Sequence, residues 1–226
     1  MKRNSTIKSF NQSKQVENKR RIAFHEAGHA AAIHLNNKAR KLPPVFFQIN
    51  VLDLNGEAEN EIRAYQATHD DFSARVEGGR LFELLPPSID VLVNTTPDHD
   101  NAMLHFLKDY MVAFEADIIN LLIGPLAEAK HIYNADGELF SRQLINLQAL
   151  KNYGGSSDLA LTNDYLQSFS ACKQRQDEKL AELFYQAFNF INDQANWTAI
   201  SKLADYILNS NKAIISCEEV VSIVEY

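Results

Sequence analysis

Two histidines four residues apart, with a glutamate directly after the first, are the residues of this chain whose types and spacing carry a specific chemistry. His25, Glu26 and His29 form a His-Glu-x-x-His pattern. On an α-helix, positions i and i+4 share a face, so both imidazoles can bind one zinc ion. Zinc lowers the pKa of bound water toward about 7, and the carboxylate can accept the proton as the water attacks a carbonyl. The pattern predicts His25 and His29 as metal ligands and Glu26 as general base.

The residues around this motif favour a packed helix. The flanking segments 21–24 and 30–33 are mostly apolar and contain good helix formers. Gly28 within a helix costs about 1 kcal/mol relative to alanine, which indicates close approach of another backbone or of a substrate. We predict a helix over about residues 14–35, preceded by a flexible tail at residues 1–14. The simpler alternative is an amphipathic surface helix whose histidines and glutamate bind no metal.

A third ligand must come from elsewhere, because a catalytic zinc usually has three protein ligands and leaves one position for water. Asp158 is the best candidate, since it follows the glycines at 154 and 155 at a predicted helix start. Two alternatives stay open: Asp158 only compensates the helix terminus, or Glu128 is the third ligand. Glu128 is better interpreted as orienting a histidine from behind or as one partner of a salt bridge. The remaining histidines are predicted to face solvent or to form local hydrogen bonds: His34, His69, His99, His105 and His131.

The pattern of the rest of the chain predicts an α+β fold that is mainly helical. Residues 45–52 are rich in β-branched and aromatic types and predict a strand, and Asn55-Gly56 predicts a turn. Residues 78–87, entered through glycines and ended by prolines, predict a second strand at a sheet edge, where an extended peptide can add. The zinc helix would therefore lie beside a small sheet within about residues 45–85.

Helices are predicted for most of the chain from about residue 98 onward, ending in a C-terminal helical bundle. The segment 110–133 has helical periodicity, and Gly124-Pro125 should kink or split it. A serine N-cap should begin the helix that carries Asp158. The other predicted helices are 96–108, 141–150, 178–192, 197–208 and 217–224. We assign residues 15–226 to one domain.

Composition excludes some classes of protein. The chain has 226 residues, of which 46% are hydrophobic, and its net charge of −7 argues against nucleic acid as a partner. Cys172 and Cys217 form no Cys-x-x-Cys pair, so we expect buried free thiols in a reducing compartment, with a single disulfide as the alternative. No signal peptide or phosphate-binding loop is visible, and the best candidate for a membrane span, residues 111–129, is interrupted by acidic residues. We expect a cytoplasmic protein.

The sequence resembles the peptidase domain of the FtsH-type ATP-dependent zinc metalloproteases. The hallmark His-Glu-Ala-Gly-His-Ala is matched without change at residues 25–30. Gly154-Gly155-Ser156-Ser157-Asp158-Leu159 is similar to the family's Gly-x-Ser-x-Asp-Leu segment, whose aspartate is the third zinc ligand. Residues 123–128 resemble the Gly-Gly-x-Ala-Ala-Glu segment, and residues 79–86 the edge strand that often ends in Leu-Pro. The resemblance extends from about residue 15 to the end.

The resemblance implies a zinc metalloendopeptidase in which His25, His29 and Asp158 bind Zn²⁺. Two departures limit what it implies: extra residues near 55–77 and 87–110, and the missing ATPase module and membrane anchor. We therefore expect cleavage of peptides or unfolded protein segments, and the family's ring assembly leaves open a homo-oligomer and an ATPase on another chain. Tyr153 and the backbone near Gly79 are candidate substrate contacts. The alternatives are a catalytically retired module that binds a peptide or partner, and a processing enzyme that cuts one protein.

Overall fold

The motif lies on a long first helix. The computed structural model describes residues 3–53, 72–85 and 101–225, and in it helix α1 spans Arg3–Ala39. Alanines that are fully buried line the middle of α1 and let other elements approach closely: Ala23, Ala27, Ala30, Ala31 and Ala32. The helix begins earlier and ends later than the predicted 14–35. The flexible tail at residues 1–14 stays a prediction.

Helix α2, Asn101–Ala135, packs alongside α1. Phe114, Ile118, Leu122 and Leu126 recur every four residues and are fully buried, as the predicted periodicity requires. The prediction that Gly124-Pro125 splits this helix is wrong, because Pro125 lies inside a continuous helix. The buried apolar face continues on both sides of the proline, and this packing outweighs the roughly 3 kcal/mol that an interior proline costs.

Helix α2 is also long and apolar enough to count as a candidate membrane span. The most apolar 18-residue window of residues 102–135 has a mean hydropathy of 1.4, and 72% of that window is buried inside the protein. The expectation that no stretch of the chain is apolar for long enough to span a membrane is therefore wrong, as judged by length and composition. The buried core helix of a globular protein passes the same test, so the observation is weak support for a membrane span.

A three-stranded antiparallel sheet lies against α1. Strands β1 (Phe47–Asp53), β2 (Phe72–Gly78) and β3 (Ile214–Ser216) are ordered β2-β1-β3, with Ile49 opposite both Val76 and Ile215. The prediction of a second strand at 78–87 is wrong, because β2 ends at Gly78. Gly78 and Gly79 both have φ +81, so these glycines turn the chain out of the strand. The predicted turn at Asn55-Gly56 lies outside the described residues.

Four helices form the C-terminal part of the described chain: α3 (Ser156–Phe169), α4 (Lys173–Asn192), α5 (Gln194–Asn209) and α6 (Cys217–Val224). The helices predicted at 178–192, 197–208 and 217–224 correspond to α4, α5 and α6. The predicted helix at 141–150 is wrong, because this stretch consists of turns that lead into a single 3₁₀ turn, Ala149–Asn152. The N-cap of α3 is Gly155 and not a serine.

The fold is mainly helical α+β, as predicted. The core is formed by α1, α2, α4, α5 and the inner face of the sheet, and it includes Ala27, Ile49, Phe114, Leu183 and Ile200. Both cysteines are free, but Cys172 is exposed and Cys217 is partly exposed, so the prediction that they are buried is wrong. The candidate site lies where α1, α2, α3 and β2 meet.

Candidate metal centre

Three side chains from two helices converge on one point. The Nε2 atoms of His25 and His29 are 3.1 Å apart, and they lie 3.3 and 3.4 Å from Oδ2 and Oδ1 of Asp158, respectively. A tetrahedral ion with bonds of about 2.0–2.1 Å separates its ligand atoms by about 3.3–3.4 Å. Helix α1 places the histidines one turn apart, and the first turn of α3 supplies the carboxylate. His25, His29 and Asp158 therefore form a group that can hold a metal ion.

The Nδ1 atom of each histidine forms a hydrogen bond that fixes the orientation of the ring. His25 Nδ1 donates to Glu128 Oε2 at 3.1 Å, and His29 Nδ1 donates to the backbone carbonyl of Asn120 at 2.9 Å. Because a carbonyl oxygen can only accept, the His29 proton lies on Nδ1 and its Nε2 keeps a free lone pair. Such contacts orient metal-ligating histidines and set their tautomer. Both Nε2 lone pairs are thus directed at the shared space.

The charge balance of the group favours a cation. Asp158 is 9% exposed, and its Oδ2 has no hydrogen-bond donor within the described part of the chain. Burial opposes the charge on His25, but without a bound metal the neighbouring carboxylates of Asp158 and Glu128 raise its pKa to about 10. A bound cation would take the place of that proton, because a metal-ligating histidine is neutral. Burial likewise opposes the charge on Asp158, but His25 and His29 hold its pKa below its usual range. A buried carboxylate facing two imidazole nitrogens suits a divalent cation.

Glu128 lies behind His25 and not among the three converging groups. Its Oε1 accepts from Nε and Nη2 of Arg21 at 2.9 and 2.7 Å, while its Oε2 accepts from His25. Burial raises the pKa of Glu128, but His25 and Arg21 outweigh it and hold the pKa below the usual range. The structure thus favours both expected supporting roles of Glu128, which contacts His25 from behind and forms a salt bridge, over the role of third ligand. The sequence did not indicate that Arg21 is the partner in the salt bridge.

Glycines let the backbones come close enough for this geometry. A Cβ at Gly124 would lie 2.3 Å from His29 Nε2, and one at Gly154 would lie 3.0 Å from His25 Nδ1. A Cβ at Gly28 would lie 2.8 Å from the Cβ of Ala127 on α2, so the close approach predicted for Gly28 is the crossing of α1 and α2. The role of Gly124 was missed, although glycine inside a helical pattern is a signal that calls for a packing reason.

A cavity of about 510 Å³ opens over the group formed by His25, His29 and Asp158. It is lined by Glu26, by residues 75–79 of the edge strand and turn, and by Arg80, Asp117 and Leu161, among others. Glu26 Oε2 accepts a hydrogen bond from the backbone N–H of Val76 at 2.6 Å. Gly79 lines the cavity, as expected of a substrate contact, whereas Tyr153 is not among the lining residues.

Asp117 holds the segment after β2 in place, and sequence reasoning treated it only as an interruption of an apolar run. Its carboxylate accepts from the backbone N–H groups of Leu81 and Phe82 at 3.0 and 3.2 Å and from the Tyr165 hydroxyl at 2.8 Å. Burial raises the pKa of Asp117 above its usual value, and these donors offset only part of that increase. An acidic residue on the otherwise apolar face of α2 was the available signal. Asp117 thereby ties one wall of the cavity to α2 and α3.

The other described histidines lie away from the group formed by His25, His29 and Asp158. His34 contacts Glu225 at 2.7 Å, His105 lies 3.6 Å from Asp109, and the ring of His131 stacks on Phe24. These local partners agree with the predicted roles, except that His131 is mostly buried. His69 and His99 lie outside the described residues.

Comparisons with known proteins do not assign this chain to a family. A scan against protein-family models and searches of curated proteins and of solved structures found no match. The resemblance to FtsH-type peptidase domains therefore rests on the motifs at residues 25–30 and 154–159 and stays a prediction.

Proposed function

We propose that this chain is a zinc-dependent metallopeptidase of the FtsH-like type. The observation that carries the proposal is the convergence of His25, His29 and Asp158 in one cavity with Glu26. Two imidazole nitrogens and one carboxylate are a ligand set of catalytic zinc, with a position left for water. When bound, Zn²⁺ supplies Lewis acidity at a carbonyl oxygen and lowers the pKa of water to about 7.

The chain's own side chains then have distinct tasks in peptide-bond hydrolysis. Glu26 takes a proton from the attacking water and passes it to the leaving amine as the C–N bond breaks. Glu128 and the Asn120 carbonyl keep the two imidazoles in one tautomer and one orientation. Asp158 adds the third ligand and a negative charge.

The edge of the sheet supports a peptide as the substrate. Strand β2 is one of the two outer strands of the described sheet, and residues 75–79 line the cavity. An extended peptide can pair with the backbone groups of such an edge. We extend the proposal to peptides or unfolded protein segments as substrates and to a cytoplasmic location. A homo-oligomer and a separate ATPase partner follow only from the resemblance.

The first test is the metal content of the purified protein by elemental analysis. We expect about one zinc per chain, as a three-ligand site requires, and loss or strong weakening of zinc binding in Asp158→Ala. Asp164→Ala is the matched control, because Asp164 is an exposed residue of the same helix α3, and it should keep the metal. Absence of zinc from the wild type after incubation with zinc would instead favour the retired module that binds a peptide or partner.

The second part of the test separates catalysis from metal binding. Glu26→Gln should retain zinc but lose peptidase activity by about 10²-fold or more, because an amide cannot accept the proton. The activity is measured on an unfolded protein or a peptide mixture. Full activity of a zinc-loaded Glu26→Gln variant would show that the proposed role of Glu26 is wrong.

A further inference from the structure

The backbone of the edge strand holds the carboxylate that we propose as general base. The Glu26 Oε2 to Val76 N distance is 2.6 Å, which is short even for a hydrogen bond to a charged acceptor. In the sheet, Val76 lies opposite Ile49 of β1. Backbone groups of successive strand residues face opposite sides in an antiparallel ladder. The N–H of Val76 faces away from β1, since it is donated to Glu26.

We propose that the Val76 backbone N–H is a positioning group for Glu26. A carboxylate has two oxygens, and the bond to Val76 occupies Oε2 and leaves Oε1 for the proton of the attacking water. This inference rests on the proposed peptidase function and adds to it the group that aims the base. It also predicts that a peptide adding to β2 pairs with backbone groups on either side of the Val76 N–H.

Glu26 needs such a partner because its side chain is long and only partly buried. A glutamate on a helix surface samples several rotamers, and a base that samples several rotamers is rarely in position. Within residues 14–52, 72–85 and 102–225, the Val76 N–H is the one hydrogen-bond donor to Glu26. Within that part of the chain, one hydrogen bond thus fixes the Glu26 side chain.

Val76 is a suitable partner because its strand is held by the protein core and by β1. Phe72 and Ala74 are buried against the body of the protein, and β1 pairs with β2 along its whole length. After the strand, Asp117 binds the N–H groups of Leu81 and Phe82. A donor on a rigid element fixes its acceptor more closely than a donor on a loop.

Amide hydrogen exchange on the zinc-loaded full chain tests the contact without any assay of activity. We expect the Val76 amide to be protected in the wild type and to exchange about tenfold faster or more in Glu26→Ala. Arg75 and Glu77 are the internal controls, because their amides face β1 and should not change. Equal Val76 exchange in the two proteins would overturn the inference.

A variant without the donor tests what the contact does. Val76→Pro removes the N–H, and proline is tolerated on an edge strand where the N–H leaves the sheet. We expect unchanged zinc content, a kcat about tenfold or more below that of Val76→Ala, and a KM that changes far less. Val76→Ala is the matched control, since it shortens the side chain and keeps the donor. If Val76→Pro does not fold, an ester in place of the 75–76 peptide bond removes the same donor.

The outcomes separate this inference from the proposed function. A folded, zinc-loaded Val76→Pro protein with the kcat of Val76→Ala, or a higher one, would overturn the positioning role and leave the peptidase proposal intact. A wild type that binds zinc and cleaves no peptide would refute the peptidase proposal, and with it the role of Val76 in catalysis. The exchange measurement would still show whether the contact with Glu26 exists.

Discussion

The position of the His29 ring depends on a missing side chain on the neighbouring helix. A Cβ at Gly124 would lie 2.3 to 2.6 Å from three atoms of the imidazole, which is far inside van der Waals contact. The ring cannot move away freely, because its Nδ1 donates to the Asn120 carbonyl on the same helix α2. Residue 124 therefore decides whether His29 can point its Nε2 at the space that it shares with His25 and Asp158.

We predict that Gly124→Ala weakens zinc binding about tenfold or more, the range seen when the contacts behind a metal ligand are lost. The measurement is zinc affinity by competition with a chelator of known affinity. Alanine is a better helix former than glycine by about 1 kcal/mol, so loss of the helix would not explain the result. Leu104→Ala, at an exposed position of α2, is the control and should bind zinc normally. Wild-type affinity in Gly124→Ala would contradict the ring position described above.

At the scale of elements, the site depends on how closely α1 and α2 cross. A Cβ at Gly28 would lie 2.8 Å from the Ala127 Cβ and 3.0 Å from the Ile123 carbonyl oxygen. At this crossing, His25 and His29 lie on α1. The groups that accept hydrogen bonds from them, Glu128 and the Asn120 carbonyl, lie on α2. The orientation of the two imidazoles therefore depends on the spacing between the two helices.

We predict that Gly28→Ala destabilises the protein by about 1–3 kcal/mol, because overpacking at this crossing outweighs the better helix propensity of alanine. Ala127→Gly removes the nearest methyl group and should recover part of this loss when combined with Gly28→Ala. Urea unfolding of the wild type, both single variants and the double variant gives the coupling energy. Strictly additive effects would mean that the two residues do not meet.

At the scale of the whole molecule, the C-terminal part of the described chain returns to the sheet and to α1. Strand β3 pairs with β1, and Ile215 lies opposite Ile49, both fully buried. Near the end of the chain, Glu225 contacts His34 of α1. The helix that carries the motif is thus packed between the sheet, α2 and the C-terminal helices.

We predict that Ile215→Ala destabilises the protein by about 2–5 kcal/mol, the usual loss for a fully buried isoleucine. The neighbouring Ile214 is 51% exposed, so Ile214→Ala is a matched control that should change stability by no more than about 0.5 kcal/mol. Urea unfolding of both variants measures the difference. Equal losses would contradict the register of β3.

Local interactions explain what the sequence alone could determine. The His-Glu-x-x-His spacing, the periodicity of α2 and the helices α4, α5 and α6 depend on residues three or four positions apart, and such patterns are visible in a single sequence. Asp158 could be chosen because a glycine-rich loop and a helix start are also local signals. The mainly helical α+β class follows from the same features.

Only the tertiary structure decided the features that depend on residues far apart in the chain. The true position of β2 and the existence of the three-residue strand β3 depend on pairing with β1. A short segment carries no local sequence signal for such pairing. The place of Glu128 behind His25, the space that Gly124 leaves for His29 and the bond between Glu26 and Val76 each join two separate elements. The sequence alone thus determined the mainly helical class and indicated His25, Glu26, His29 and Asp158 as candidate site residues. The packing of α1 against α2, α3 and β2 decided their geometry, because contact distances between separate elements are set by the whole core.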